Sequence, residues 1–173
     1  QDLLRLGDER EGWALAEEVN EKDPYNVEAY NLASLYDKSK GFKTVRSENF
    51  IVRMDPLEAD VYGDEVIELL EKAKKTLCEK YGIELDRPAT LELFANQQDF
   101  AVRTFGIPGG DGFLGVCFGN VITANSPKLE RPANWKATLW HEYCHVVTLN
   151  MTANKMPRWL SEGISVYEEQ QQK

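Results

Sequence analysis

Histidine is the scarcest chemically useful residue here, with two in 173 residues, and cysteine is nearly as scarce. Cys78, Cys117 and Cys144 are odd in number, and their spacings match no zinc ribbon and no CxxC pair. They are expected to be buried free thiols, and a core of this size needs no disulfide framework. No apolar run approaches the roughly 20 residues of a membrane span. No signal peptide is visible, and the compartment stays open. There is no basic excess: net charge is −9, with Asp and Glu spread along the chain. Such a surface repels phosphate backbones, which argues against nucleic acid as a partner and is accounted for by solubility. The first residue is Gln1, and the last residues trail off just after a strong motif, so the chain is read as a piece of a longer protein.

What the chain does have is apolar material, 42% of its residues, enough for a real core. Trp13, Ala16 and Val19 recur at helical spacing until Asp23-Pro24 interrupts them. Asn26 then suits an N-cap, Tyr30, Ala33 and Tyr36 mark a second stripe, and Gly41 suits a stop. Residues 1–41 are therefore expected to form a helical hairpin.

The pattern changes at residue 42. Asn49–Met54 alternates as a strand, and Leu57–Tyr81 is a long helix lined by Val66, Leu69, Leu70, Ala73 and Leu77 and ended by Gly82. Ala89–Phe94 reads as a strand, and Asn96 opens a short helix that Gly106 stops. Residues 106–112 form a loop. Phe113–Phe118 and Val121–Ala124 are two strands turned by Gly119-Asn120. A loop bounded by Pro127 and Pro132 follows. Asn134 caps a helix running to about Met151, and Pro157 begins a last helix to about Gln170. The order predicts an α+β domain over 42–173 with a small mixed or antiparallel sheet.

Both histidines fall in His141-Glu142-Tyr143-Cys144-His145, an HExxH with no Gly or Pro between Ala133 and Met156. On a helix, residues four apart stand one above the other, so both imidazoles can reach one ion at about 2.0–2.1 Å. Glu142 lies about 100° around the helix, where it can take a proton from water at the metal without being a ligand itself. The bulky flanks Leu139, Trp140, Tyr143, Val146 and Val147 imply a buried helix. There, two histidines and a carboxylate are costly unless something satisfies them.

Catalytic zinc takes three protein ligands. Thr148 and Met151 stand where an HExxHxxGxxH motif would need Gly and His, so the third ligand is a carboxylate or a cysteine. Glu162, 17 positions after His145 in Pro157–Tyr167, is the best carboxylate. A loop at 152–156 lets its helix fold back, Gly163 and Ser165 are small enough for close approach, and Trp159, Leu160, Ile164 and Val166 flank it with apolar surface. Cys144, one turn from His141, is the competing ligand.

HEYCH followed by PRWLSEGISVYEE resembles the gluzincin metallopeptidases, and most of all the peptidase MA-like domains found beside tetratricopeptide repeats. The resemblance covers residues 42–169, and the hairpin DPYNVEAY resembles the end of a tetratricopeptide array. It implies a zincin-like fold, one zinc held by His141, His145 and Glu162, and Glu142 as the base of a peptide hydrolase. It also implies an edge strand within residues 113–124 that pairs with an extended peptide of a substrate or unfolded protein. A protein partner at the helical N-terminus would follow from the repeat likeness. Two departures matter. Val166 stands where many gluzincins have an acidic residue behind a ligand histidine, leaving Glu169 as the substitute. No His follows Glu162, and Tyr167 is rotated away from the ligand face, so an oxyanion stabiliser either lies in a part of the protein outside this sequence or does not exist. That second departure supports a rival reading, a zinc-binding domain that recognises peptides without cutting them.

Overall fold

A computed structural model describes residues 1–128 and 134–172. The helices are α1 (Asp2–Arg5), α2 (Glu9–Lys22), α3 (Val27–Ser39), α4 (Pro56–Tyr81), α5 (Gln97–Phe105), α6 (Trp135–Met151) and α7 (Arg158–Gln170). The strands are β1 (Lys43–Arg46), β2 (Phe50–Met54), β3 (Ala89–Phe94), β4 (Gly115–Phe118) and β5 (Val121–Asn125). They form one five-stranded sheet in the order β1-β2-β3-β5-β4. The inner pairs β2/β3 and β3/β5 are parallel and the outer pairs antiparallel, so the fold is α+β with a mixed sheet.

Local chemistry sets the boundaries. The Asp55 side chain accepts from the backbone N–H groups of Leu57 and Glu58 while Pro56 opens α4, and Gly82 closes it at φ 64°. Asn26, Asn96 and Asn134 cap α3, α5 and α6 in the same way. Gly119, at φ 64°, turns β4 into β5 with Phe118 opposite Val121, as expected for that dipeptide.

Two cores share the sheet, because alternate residues of a strand face opposite sides. On one face Phe50, Val52, Leu91, Leu93 and Ile122 pack against Val66, Leu70, Ala73 and Leu77 of α4 and Leu139, Trp140, Tyr143 and Val147 of α6. On the other, Phe94 packs with Leu4, Trp13, Ala16, Leu32, Leu35 and Phe100 of α1, α2, α3 and α5.

Several expectations need correction. The α3 stripe is Ala29, Leu32 and Leu35, because these residues meet α2 and α5; Tyr30 is exposed. That helix ends at Ser39 with Lys40 as its cap, so Gly41 does not act as a left-handed stop. Phe113 and Leu114 precede β4 rather than belonging to it, and they are half exposed. Strand β1, an exposed polar edge, and the four-residue α1 carry no periodicity that would reveal them. Cys144 is buried, whereas Cys78 and Cys117 are only partly so; all three are free. The loop read between Pro127 and Pro132 lies mostly outside the described residues. Among the described residues no helix is long and apolar enough to cross a membrane.

Candidate metal centre

The centre forms where α6 and α7 cross beside the sheet edge. Helix α6 is apolar almost all round: Leu139, Trp140, Tyr143, Val146 and Val147 are buried, and only the His141/His145 side opens into a cleft. Ala153 and Asn154, both with positive φ, reverse the chain after α6, and α7 returns along it. Of the three residues α7 buries, Ser161 and Ser165 are small enough to bring the helix close. Glu168 anchors it from behind, accepting from Lys80 Nζ at 2.6 Å and from the Tyr81 hydroxyl at 2.5 Å.

His141, His145 and Glu162 offer ligand atoms that all lie within 4.8 Å of one another. Both Nε2 atoms stand 3.4 Å from the same Glu162 oxygen, Oε2. Donors held at about 2.0–2.2 Å from a tetrahedral ion are about 3.3–3.5 Å apart, so these separations fit a zinc-sized cation. Two imidazole nitrogens and one carboxylate oxygen are also a donor set that suits zinc. The opposite ring nitrogens are engaged away from this point. His141 Nδ1 is 3.3 Å from Glu169 Oε2, and His145 Nδ1 is 2.8 Å from Ser161 Oγ. Glu169 thus takes the supporting place that Val166 cannot, and Val166 points outward.

Glu142 stands apart from the donor group, as its helical angle requires. It lines the cleft, yet only 7% of its surface is exposed. Burial, with the Glu162 carboxylate nearby, pushes its carboxyl up to about 8. Burial also holds the His145 imidazole below its usual value, against the pull of Glu162.

Opposite α6 the cleft is walled by β4, the last strand of the sheet. The Asn125 N–H donates to Leu114 O, so in an antiparallel ladder Leu114, Val116 and Phe118 bond inward and the main-chain groups of Gly115 and Cys117 turn to the open edge. Gly115 has a further role. A Cβ there would sit 2.7 Å from Glu142 Cγ and 3.0 Å from its Oε1, so only glycine lets that carboxylate lie against the strand. The cleft encloses about 1010 Å³.

The structure brings together His141, His145 and Glu162, with Glu142 beside them, and leaves Cys144 out. That thiol points at Ser165, and burial raises it to about 11. Glu162 reaches the site for a reason other than the one read from its neighbours. Trp159 and Val166 are exposed, so they do not shield it; the buried serines on the opposite face of α7 set its position. Sequence reasoning missed Ser161, Thr148 and Gly115. A glycine inside a strand was the available signal for the last. Comparison with protein-family models, curated proteins and solved structures finds no match to this chain. Its class therefore rests on the fold and this centre: an α+β protein with a His/His/Glu group that could hold a metal ion.

Proposed function

We propose that this chain is a zinc-dependent peptide hydrolase of the gluzincin kind, with a zincin-like domain over residues 42–173. The observation that carries the reading is the convergence of both Nε2 atoms on one Glu162 oxygen, next to a buried carboxylate that faces an open strand edge. His141, His145 and Glu162 would hold the ion. When bound, zinc supplies Lewis-acid polarisation of a carbonyl and makes water acidic enough to react near neutral pH. Glu142 accepts the proton of the attacking water and returns it to the leaving amine. Its carboxyl, buried and lining the cleft beside the three donors, is placed for both transfers. Gly115 and Cys117 offer main-chain hydrogen bonds that hold a peptide extended along β4, giving affinity with little demand on its side chains.

Native mass spectrometry should find one zinc per chain, and an unfolded protein should be cut by the loaded protein and spared when chelator is present. Removing zinc should also lower stability by about 3–4 kcal/mol relative to protein in free zinc at 100–1,000 times the dissociation constant. A chain mass without metal after zinc incubation would sink the reading.

A second reading, a zinc-holding peptide-recognition domain that does not cut, is favoured by one observation. Among the described residues lining the cleft there is no tyrosine and no third histidine. Tyr167 is half exposed and lies under the Lys80 amine, 4.9 Å from its ring centre. Zinc binding with no hydrolysis of any unfolded protein would select this reading. Residues 1–41 are proposed as the end of a tetratricopeptide array through which a protein partner binds. Exposed Leu15, Tyr25, Val27 and Tyr30 support this, since a neighbouring repeat would cover such residues. Consensus repeats joined before Gln1 should then raise the melting temperature, and an unchanged value would count against the idea.

A further inference from the structure

The two histidines are held from behind by different chemistry. His141 Nδ1 faces the Glu169 carboxylate. An ionised carboxylate only accepts, so it favours the ring form that carries its proton on Nδ1, while Glu162 Oε2, 3.4 Å from Nε2, draws a proton the other way. His145 Nδ1 faces a hydroxyl, Ser161 Oγ, at 2.8 Å. A hydroxyl donates as readily as it accepts and by itself selects neither form.

The selection comes two links further on. Thr148 Oγ1 lies 3.3 Å from the His145 carbonyl oxygen, which can only accept, so the Thr148 proton is directed there. Thr148 Oγ1 then has only lone pairs to offer Ser161 Oγ, 2.9 Å away, and it takes the Ser161 proton. With that proton spent, Ser161 Oγ can only accept from His145 Nδ1, and this contact at 2.8 Å is much shorter than the 3.4 Å from Nε2 to the competing Glu162 oxygen. The chain runs one way, from Nδ1–H through Ser161 and Thr148 back to the carbonyl of the same histidine. Thr148 and Ser161 are buried at 0% and 4% exposure, so solvent cannot supply substitute partners. Ser165 Oγ, at 3.3 Å from the same nitrogen, is the more distant hydroxyl.

We propose that Ser161 and Thr148 are positioning residues that fix His145 with its proton on Nδ1, leaving Nε2 free to hold a metal ion. The role of the freed nitrogen rests on the zinc reading above; the relay itself does not. Sequence analysis of the motif alone could not reach it, because Thr148 stands where related motifs have glycine and Ser161 shows only as a small residue before Glu162.

The test uses the metal-free chain with ¹⁵N-labelled histidine at about pH 8, above the usual imidazole range. Ring nitrogen-to-proton correlations report which nitrogen carries the proton. Wild-type His145 should be protonated on Nδ1. Thr148→Val keeps Ser161 in place and removes only the acceptor of its proton. His145 should then shift toward the Nε2-protonated form, in which Nε2 donates to Glu162 Oε2. Zinc affinity should fall about 10- to 100-fold. Ser161→Ala should produce the same shift, and it serves where the valine variant folds poorly. Ser165→Ala should alter neither readout. An Nε2-protonated His145 in the wild type, or a tautomer indifferent to both Thr148→Val and Ser161→Ala, overturns the proposal. If the tautomers respond as stated but the wild type takes up no zinc, the relay stands and the metal reading falls.

Discussion

Two polar clusters sit on opposite faces of the same sheet, and they are built on opposite principles. On the α2/α5 face, Arg103 forms an ion pair with Glu92 at 2.5 Å, Arg53 lies 3.3 Å from Glu92, and Arg53 also pairs with Glu9. Two cations meet two anions, and Arg103 donates besides to the Leu4 carbonyl at 3.0 Å. On the α6/α7 face, His141, His145, Glu142, Glu162 and Glu169 bring acceptors together. Among the described residues the nearest cation is Arg158, exposed at the rim and 3.6 Å from Glu162. A buried charge is tolerable when matched. The first cluster is matched in charge and ties the N-terminal helices to the sheet. The second is short of positive charge, which is what a site for a cation should look like.

The contrast breaks most sharply at Glu142. Glu142→Gln keeps the shape and removes the proton acceptor. On the hydrolase reading, activity should fall by a factor of about 100 to 10,000, while zinc content and fold survive. His145→Ala should instead lose metal and activity together. Activity per bound zinc decides between them, and loss of zinc in Glu142→Gln would remove Glu142 from the role of base.

The matched cluster should respond in the opposite sense. Glu92→Gln strands the fully buried Arg103 without its counter-charge and should cost about 3–5 kcal/mol in urea unfolding. A loss under about 1 kcal/mol would mean that the hydrogen bond to Leu4 is enough to hold Arg103.

A smaller effect sharpens the comparison through pH. In metal-free protein the Glu142 carboxyl is raised from its usual 4.5 to about 8. Between those values the unfolded chain gives up this proton and the folded chain keeps it, so stability falls as pH rises through that window. The loss by about pH 8 is on the order of 4 kcal/mol. His145, held below its usual value, acts in the reverse direction, losing stability as pH falls. The difference between wild type and Glu142→Gln therefore isolates the carboxyl. Chelator-treated wild type should weaken from pH 5 to pH 8 relative to the glutamine variant, and parallel curves would disprove it.

The same contrast explains which parts were readable from the sequence. Periodicity and caps revealed α4, α5, α6 and β3, because each rests on a local rule: an Asn or Asp cap, a closing glycine, an apolar stripe. HExxH was readable because a helix alone brings His141 and His145 together. Glu92 was not, since ATLELF buries both faces and a single acid in it gives no hint of a partner 11 residues later in Arg103. Ser161 and Glu168 were hidden for a related reason. Their roles depend on how α7 rolls against α6 and α4, and that rotation is set by contacts between elements. Trp159 and Val166 misled for the same cause, as apolar residues on the outward face of an amphipathic helix.

The smallest predicted effect separates three glutamates of α7 that look alike in sequence. Glu162 is one of three converging donors, Glu169 touches His141 from behind, and Glu168 is 2% exposed beneath Lys80 and Tyr81. Glu162→Gln should weaken zinc the most, since a neutral amide replaces the only anionic donor. Glu169→Gln should weaken it about 10- to 100-fold, the usual effect of removing a group behind a ligand histidine. Glu168→Gln should leave the donor set intact and instead lower stability by about 1–3 kcal/mol, because it loses a charge-assisted bond from Lys80. Zinc titration and urea unfolding on all three variants give two numbers for each. If Glu168→Gln weakens zinc more than Glu169→Gln does, α7 is held in register chiefly by its anchor on α4. The support behind His141 would then be the lesser part of the site.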